Sequence, residues 1–259
     1  MFERIFYLAF SPCGSTEDIA KTIAETLAKR LDIKAEKKAF TLSEDRASKI
    51  EFTEKDLVVI GAPTYAGKLP NKILPDFKEK LAGGGATAVA FTSFGNRAFD
   101  NSLAELCAVL AENGFNICGA AAVCDEHAFA HIGKLDLAEV TDYAEKIYLE
   151  KHSVIVPGDA AAPYYVPKQL NGEPAKFLPA KPKTDETKCT NCGLCAASCP
   201  MGSISKENVS EVSGICIKCH ACVNKCPNQA KYFDDAQLAS HIEMLRKNHS
   251  EENRSRFFL

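Results

Sequence analysis

Eight cysteines between positions 189 and 226 repeat one spacing twice, and that spacing dictates what the C-terminal third of this chain can fold around. Cys189, Cys192, Cys195 and Cys199 read C-x-x-C-x-x-C-x-x-x-C and are followed by Pro200. Cys216, Cys219, Cys222 and Cys226 repeat the pattern and are followed by Pro227. Each cysteine of the second copy lies 27 positions after its counterpart, as an internal duplication requires. Three thiolates two residues apart can wrap three irons of one cubane, while the fourth, next to proline, reaches across to the other cluster. By that rule Cys189, Cys192, Cys195 and Cys226 hold one 4Fe–4S cluster, and Cys216, Cys219, Cys222 and Cys199 hold a second. Structural zinc and disulfides are the competing readings. Zinc sites use paired C-x-x-C elements without the third cysteine and the trailing C-P, and reducing compartments keep thiols free.

The segment carrying this motif resembles bacterial two-cluster ferredoxins over about 50 residues. The resemblance implies a small α+β domain that passes single electrons. A short segment with few apolar residues has little core of its own, so the clusters are expected to be structural as well.

The chain of 259 residues leaves room for a larger domain ahead of this one, and 46% hydrophobic residues supply its core. A formal net charge of −3 argues against a general nucleic-acid binder. No apolar run reaches the roughly 18 residues of a membrane span. The stretch Met1–Tyr7 lacks a signal peptide's basic region and cleavage site, so the cytoplasm is the expected location.

Residues 1–152 alternate apolar runs with amphipathic stretches. Arg4–Phe10, Ile33–Phe40, Asp56–Ile60, Ala86–Thr92 and Phe115–Val123 read as strands. Thr16–Leu31, Pro70–Leu81, Asp100–Asn113 and Leu135–Glu150 read as helices. Such alternation predicts a doubly wound, five-stranded parallel sheet of flavodoxin-like order 2-1-3-4-5. A proline-rich connector, 153–183, is expected to pack along this domain through Tyr164, Tyr165, Val166, Phe177 and Leu178. The cluster domain occupies 184–234. A C-terminal helix and tail, 235–259, follow, the tail frayed or docked through Phe257 and Phe258.

Three loops gather at the carboxyl ends of the predicted strands, where ligands bind in this architecture. Ser11-Pro12-Cys13-Gly14-Ser15-Thr16 opens a helix and can enclose a phosphate with N–H groups and hydroxyls; an ordinary helix cap is the plain alternative. Pro63, Thr64, Tyr65, Ala66, Gly67 and Lys68 follow the third strand. Phe94, Gly95, Asn96, Arg97, Phe99 and Asp100 follow the fourth. Aromatic rings beside glycines in these two loops suit a flat isoalloxazine, although each ring taken singly fits a core position equally well. After the fifth strand, His127 can approach the flavin or a cluster, or serve as an ordinary surface residue, as can His131. Lys68 and Arg97 are candidates for neutralising flavin charge or for plain solvation. Cys107, Cys118 and Cys124 read as small buried hydrophobes.

On these loops, residues 1–150 resemble a flavodoxin-type FMN domain, and the whole chain resembles the flavodoxin–ferredoxin fusion proteins of anaerobes. Cys13 departs from the T-x-T-G of many flavodoxins, so only its backbone N–H is carried over. The resemblance implies an electron relay between FMN and two 4Fe–4S clusters, serving redox-protein partners, within one chain or across a homodimer. A flavin-dependent reductase of a small acceptor (a quinone, a metal complex or an NAD(P)H-linked compound) is the alternative. A redox sensor is a third class, for which no appended signalling module speaks.

Overall fold

The computed structural model describes residues 2–150 and 154–259; the expected junction at 152/153 lies outside the described residues. Two runs of continuous burial set the centre of the molecule. Asp56–Pro63 (β3) and Thr87–Phe94 (β4) are buried almost throughout, as central parallel strands covered on both faces must be. Arg4–Ala9 (β1) pairs parallel with β3 on one side and with the short edge strand Ala35–Lys37 (β2) on the other. Asn116–Cys124 (β5) pairs parallel with β4. The parallel order is therefore 2-1-3-4-5, which defines the flavodoxin-like fold.

The sheet has a sixth strand. Arg256–Phe258 (β8) returns from the far end of the sequence and adds antiparallel to β5, with Phe257 opposite Ala121. Phe257 stacks on Tyr143 at 4.8 Å, and the Ser255 hydroxyl accepts from the N–H of Cys124. The expectation of five parallel strands thus gains an antiparallel edge, because two neighbouring phenylalanines had apolar surface to cover.

Helices close both faces. Ser15–Leu31 (α1) buries Ile19, Ala20, Ile23, Ala24 and Leu27 on one stripe, with Glu17 and Asp18 at its positive end and Lys29 and Arg30 at its negative end. Leu137–Lys146 (α4) lies beside it, and Arg30 ties the two by donating to the carbonyls of Ala144 and Ile147. Leu74–Lys80 (α2) and Ser102–Glu112 (α3) cover the other face. The helix expected from Pro70 starts later, because the N–H groups of Ile73 and Leu74 close a turn onto the Pro70 carbonyl.

The cysteine-rich segment keeps its duplication in three dimensions. Lys183–Thr184 (β6) pairs antiparallel with Lys231–Tyr232 (β7) and ties its two ends together. Each copy contributes one helical turn, Leu194–Ala197 (α5) and Ala221–Asn224 (α6). Left-handed backbone recurs at matching positions: Asn191 with Lys218, Gly193 with His220, and Gly202 with Gln229. The local core is small and centres on Cys195, Ala196, Ile204, Val209 and Cys222. A helix, Ala236–Asn248 (α7), capped by the Asp235 carboxylate, leads back toward β8. No helix among the described residues is long and apolar enough to cross a membrane.

Candidate functional site

Each set of four cysteines lines its own cavity. Cys189, Cys192, Cys195 and Cys226 line one of about 320 Å³, and Cys199, Cys216, Cys219 and Cys222 line another of about 370 Å³, counting the part open to solvent. Three thiols in each come from one copy of the motif and the fourth from the other. Both fourth cysteines accept from a backbone N–H four residues on: Ser203 N–H to Cys199 Sγ at 3.3 Å and Ala230 N–H to Cys226 Sγ at 3.2 Å. Among the described residues no three metal-binding side chains close on a single ion; the sulfurs ring open space instead.

Burial dominates the electrostatics of both cavities. Burial pushes the thiols of Cys195, Cys216, Cys219 and Cys222 up, Cys222 to about 12. At Cys226 burial acts in the same direction but is outweighed by backbone donors, chiefly Ala230 N–H, and the thiol sits lower than usual. Protonated thiols cannot ligate, so metal binding must expel those protons. Each set also has a buried lysine. Lys231 lines the first cavity and donates to the Thr184 hydroxyl and the Val209 carbonyl. Lys218, in the second copy, donates to the carbonyls of Leu178 and Cys216. Sulfur donors, cations and shared apolar walls suit a thiolate-bound iron–sulfur group.

The two sets differ in their surroundings. Around the first, Thr190, Asn191, Cys192, Leu194, Pro227 and Asn228 are exposed. The second is built against the flavodoxin-like domain. Met201 and Ile217 pack on the core that holds Phe10, Phe40 and Leu69. Arg46, itself buried, donates to the Pro200 carbonyl at 3.0 Å and pairs with Asp76 at 2.7 Å. Cys13 Sγ donates to the Cys219 carbonyl at 3.2 Å, and the Asn224 amide donates to the Ala128 carbonyl at 2.9 Å.

The three loops at the carboxyl edge are bonded to one another. The Thr16 and Ser93 hydroxyls lie 2.9 Å apart, Thr64 N–H donates to the Ser93 carbonyl, and Asn101 N–H donates to the Gly67 carbonyl. Gly14 opens α1 with φ 113° and open space where a Cβ would stand. The N–H groups of Cys13, Gly14, Ser15 and Thr16 have no acceptor among the described residues, whereas Glu17 N–H is taken by the Ser11 hydroxyl and the Gly14 carbonyl. Four adjacent free amides at a helix start are the donor set a phosphate requires. Ser15 donates to the Asp125 carboxylate, a residue the sequence pattern did not single out; burial raises its pKa, against the pull of the Ser15 bond.

Other candidate residues serve the scaffold. Lys68 is buried; its ammonium pairs with Glu105 at 3.0 Å and donates to the connector carbonyls of Ala160 and Ala162. The Asn96 amide holds the returning tail, donating to the carbonyls of His249 and Glu251 and accepting from Asn253 N–H. Phe94 is buried against Phe99 at 5.6 Å, leaving Phe99 partly exposed. Arg97 pairs with Asp100 and lies 4.0 Å over the Tyr165 ring of the connector. Gly95 has no room for a side chain, since a Cβ there would come within 2.6 Å of His127. His127 is pushed down to about 3, by burial first and then by His241 and His220, and its ring packs edge-on against Phe129 at 4.2 Å. Tyr65 lies near the thiols of Cys219, Cys13 and Cys216; burial, then those neighbours, holds its phenol well above its ordinary value. Cys118 and Cys124 are buried and Cys107 is half-buried.

Residues 181–227 match the family model for a 4Fe-4S dicluster domain. No curated protein matches the chain. Solved structures similar to its N-terminal part include a putative flavoprotein from Bacteroides uniformis (18% identity over 56% of this chain and 100% of that one, TM-score 0.38). A flavodoxin from Streptococcus pneumoniae TIGR4 aligns at 18% identity over 55% of this chain and 95% of its own, TM-score 0.37. Rubredoxin oxygen:oxidoreductase from Desulfovibrio gigas aligns at 18% identity over 56% of this chain but 34% of its own, TM-score 0.33. The strand order and the family match together define an α/β protein with a ferredoxin-type iron–sulfur domain attached. That combination is consistent with a flavodoxin–ferredoxin fusion.

Proposed function

We propose that this protein relays electrons between two 4Fe–4S clusters and an FMN, joining one-electron partners to a two-electron store. Carrying the reading is the seam between the domains, where the phosphate loop and the second cysteine set meet through the 3.2 Å bond from Cys13 Sγ to the Cys219 carbonyl. Cys189, Cys192, Cys195 and Cys226 would hold one cluster, and Cys199, Cys216, Cys219 and Cys222 the other. The amides of Cys13 to Thr16 would hold the FMN phosphate, with Tyr65 and Phe99 beside its ring. When bound, the clusters exchange one electron each and the flavin one or two. The chain's own residues fix the arrangement: Arg46, Met201 and Ile217 seat the second set on the first domain, and the Lys68–Glu105 pair pins the connector. The relay would then run within one chain, and a redox protein partner would meet the exposed first set.

Anaerobic purification with iron, sulfide and flavin analysis should give about eight irons and one FMN per chain. Stopped-flow mixing should then show flavin and clusters equilibrating; prereduced clusters that left oxidised flavin untouched for seconds would refute the relay.

A further inference from the structure

The duplication contains one exchange that costs the fold and returns nothing within it. Where the first copy has Gly193, with φ 76° and open space around a notional Cβ, the second has His220 at φ 59°. Left-handed backbone suits glycine and strains a residue with a Cβ. The other side chains of the second copy that accept this strain are provided for. Lys218 reaches two carbonyls, and Gln229 is exposed to water. His220 is 7% exposed, and its Nε2 is buried with no hydrogen-bond partner. The ring is packed between Phe233, stacked at 4.5 Å, and Phe129, tilted at 4.9 Å, and neither ring offers an ordinary acceptor. A phenylalanine would fill that slot without an orphaned nitrogen, so packing alone does not explain histidine. His220 is one of the residues lining the cavity of Cys199, Cys216, Cys219 and Cys222.

We infer that His220 is a positioning residue for the group in that cavity, donating its Nε2–H to one of the group's sulfurs and thereby separating the potential of the second cluster from that of the first. The inference rests on the reading that both cysteine sets hold clusters. One-electron reduction adds negative charge to the sulfurs, and a fixed donor favours the reduced form. The glycine at the matching place in the first copy has no such donor to offer. The second cluster, on the side of the first domain, is therefore the easier of the two to reduce.

The test is a redox titration of the full chain followed by low-temperature EPR, in His220→Phe, His220→Gly and His220→Asn. Phe keeps a ring in the slot without the donor, and Gly restores the first copy's residue and relieves the backbone. Asn tolerates left-handed backbone and still carries an N–H. In the Phe and Gly variants one couple should move to lower potential, by about tenfold in the reduced-to-oxidised ratio, or ~59 mV for one electron. The other couple should stay in place, and Asn should recover part of the shift. His220→Phe with full iron content and both couples at wild-type potential would overturn the inference while leaving the relay intact. A wild-type iron count of only about four per chain, with the second cavity unfilled, would overturn both.

Discussion

The two cysteine sets share a spacing, a backbone path and a pair of N–H···S bonds, yet one is a surface feature and the other part of a domain interface. Cys192 and Leu194 of the first copy are exposed, whereas Ile217 of the second reaches the core of the neighbouring domain. Identical ligand chemistry has been fitted to two environments by changing the residues between the cysteines. For the proposed relay that asymmetry would give a direction in space: one end open to partners, the other facing the loops at the carboxyl edge of the sheet.

The largest expected effect comes from removing iron. The cysteine-rich segment has only a small core of its own, clustered on Cys195, Ala196, Ile204, Val209 and Cys222, so chelation should unfold 184–234 while the parallel sheet persists. Limited proteolysis with far-UV circular dichroism reads both outcomes. Next, breaking the buried Lys68–Glu105 pair with Lys68→Ala should cost about 3–5 kcal/mol in urea unfolding, since it strands a buried carboxylate. Ile217→Asp and Leu194→Asp place the same charge next to a cysteine of each set. Setting a charge against the core should destabilise by about 2 kcal/mol, while the exposed site should change by under about 0.5 kcal/mol. Equal effects would mean that the two sets are equally detached.

A smaller effect concerns pH. The Asp125 pKa is raised in the folded protein, so the native state holds its proton more tightly than the unfolded chain. Its contribution is complete below the ordinary 3.8 and is lost as pH rises through the raised value. Asp125→Asn should therefore be more stable than wild type at pH 7, with the difference vanishing below pH 3.8, as denaturant midpoints across pH would record. The same substitution removes a negative charge beside Ser15 and should tighten FMN binding a few-fold by fluorescence quenching.

What the sequence disclosed follows from locality. The sorting of eight cysteines into two sets is legible because the spacing reports how far neighbouring thiolates can reach, and the strand order because β3 and β4 are buried on both faces and lack polar alternation. The returning strand was harder to see: three residues gain strand character only by pairing with Ala120–Ala122, more than a hundred positions away. Lys68 and Asn96 sat in the right loops, but their partners, Glu105, Ala160, His249 and Glu251, come from elsewhere in the chain. His220 carried a faint signal, a bulky residue where the duplicate has glycine; that its nitrogen lacks a partner is a tertiary fact.

Because Lys68 pins the connector ahead of it and β8 behind it is stitched to the rim of β5, with the Asn96 side chain gripping the approach, the cysteine-rich segment is moored fore and aft. A module on one flexible tether must diffuse before each electron hop, and its rate then slows in thick solvent. A doubly moored one has no swing to wait for, so internal transfer here should be indifferent to added glycerol or sucrose.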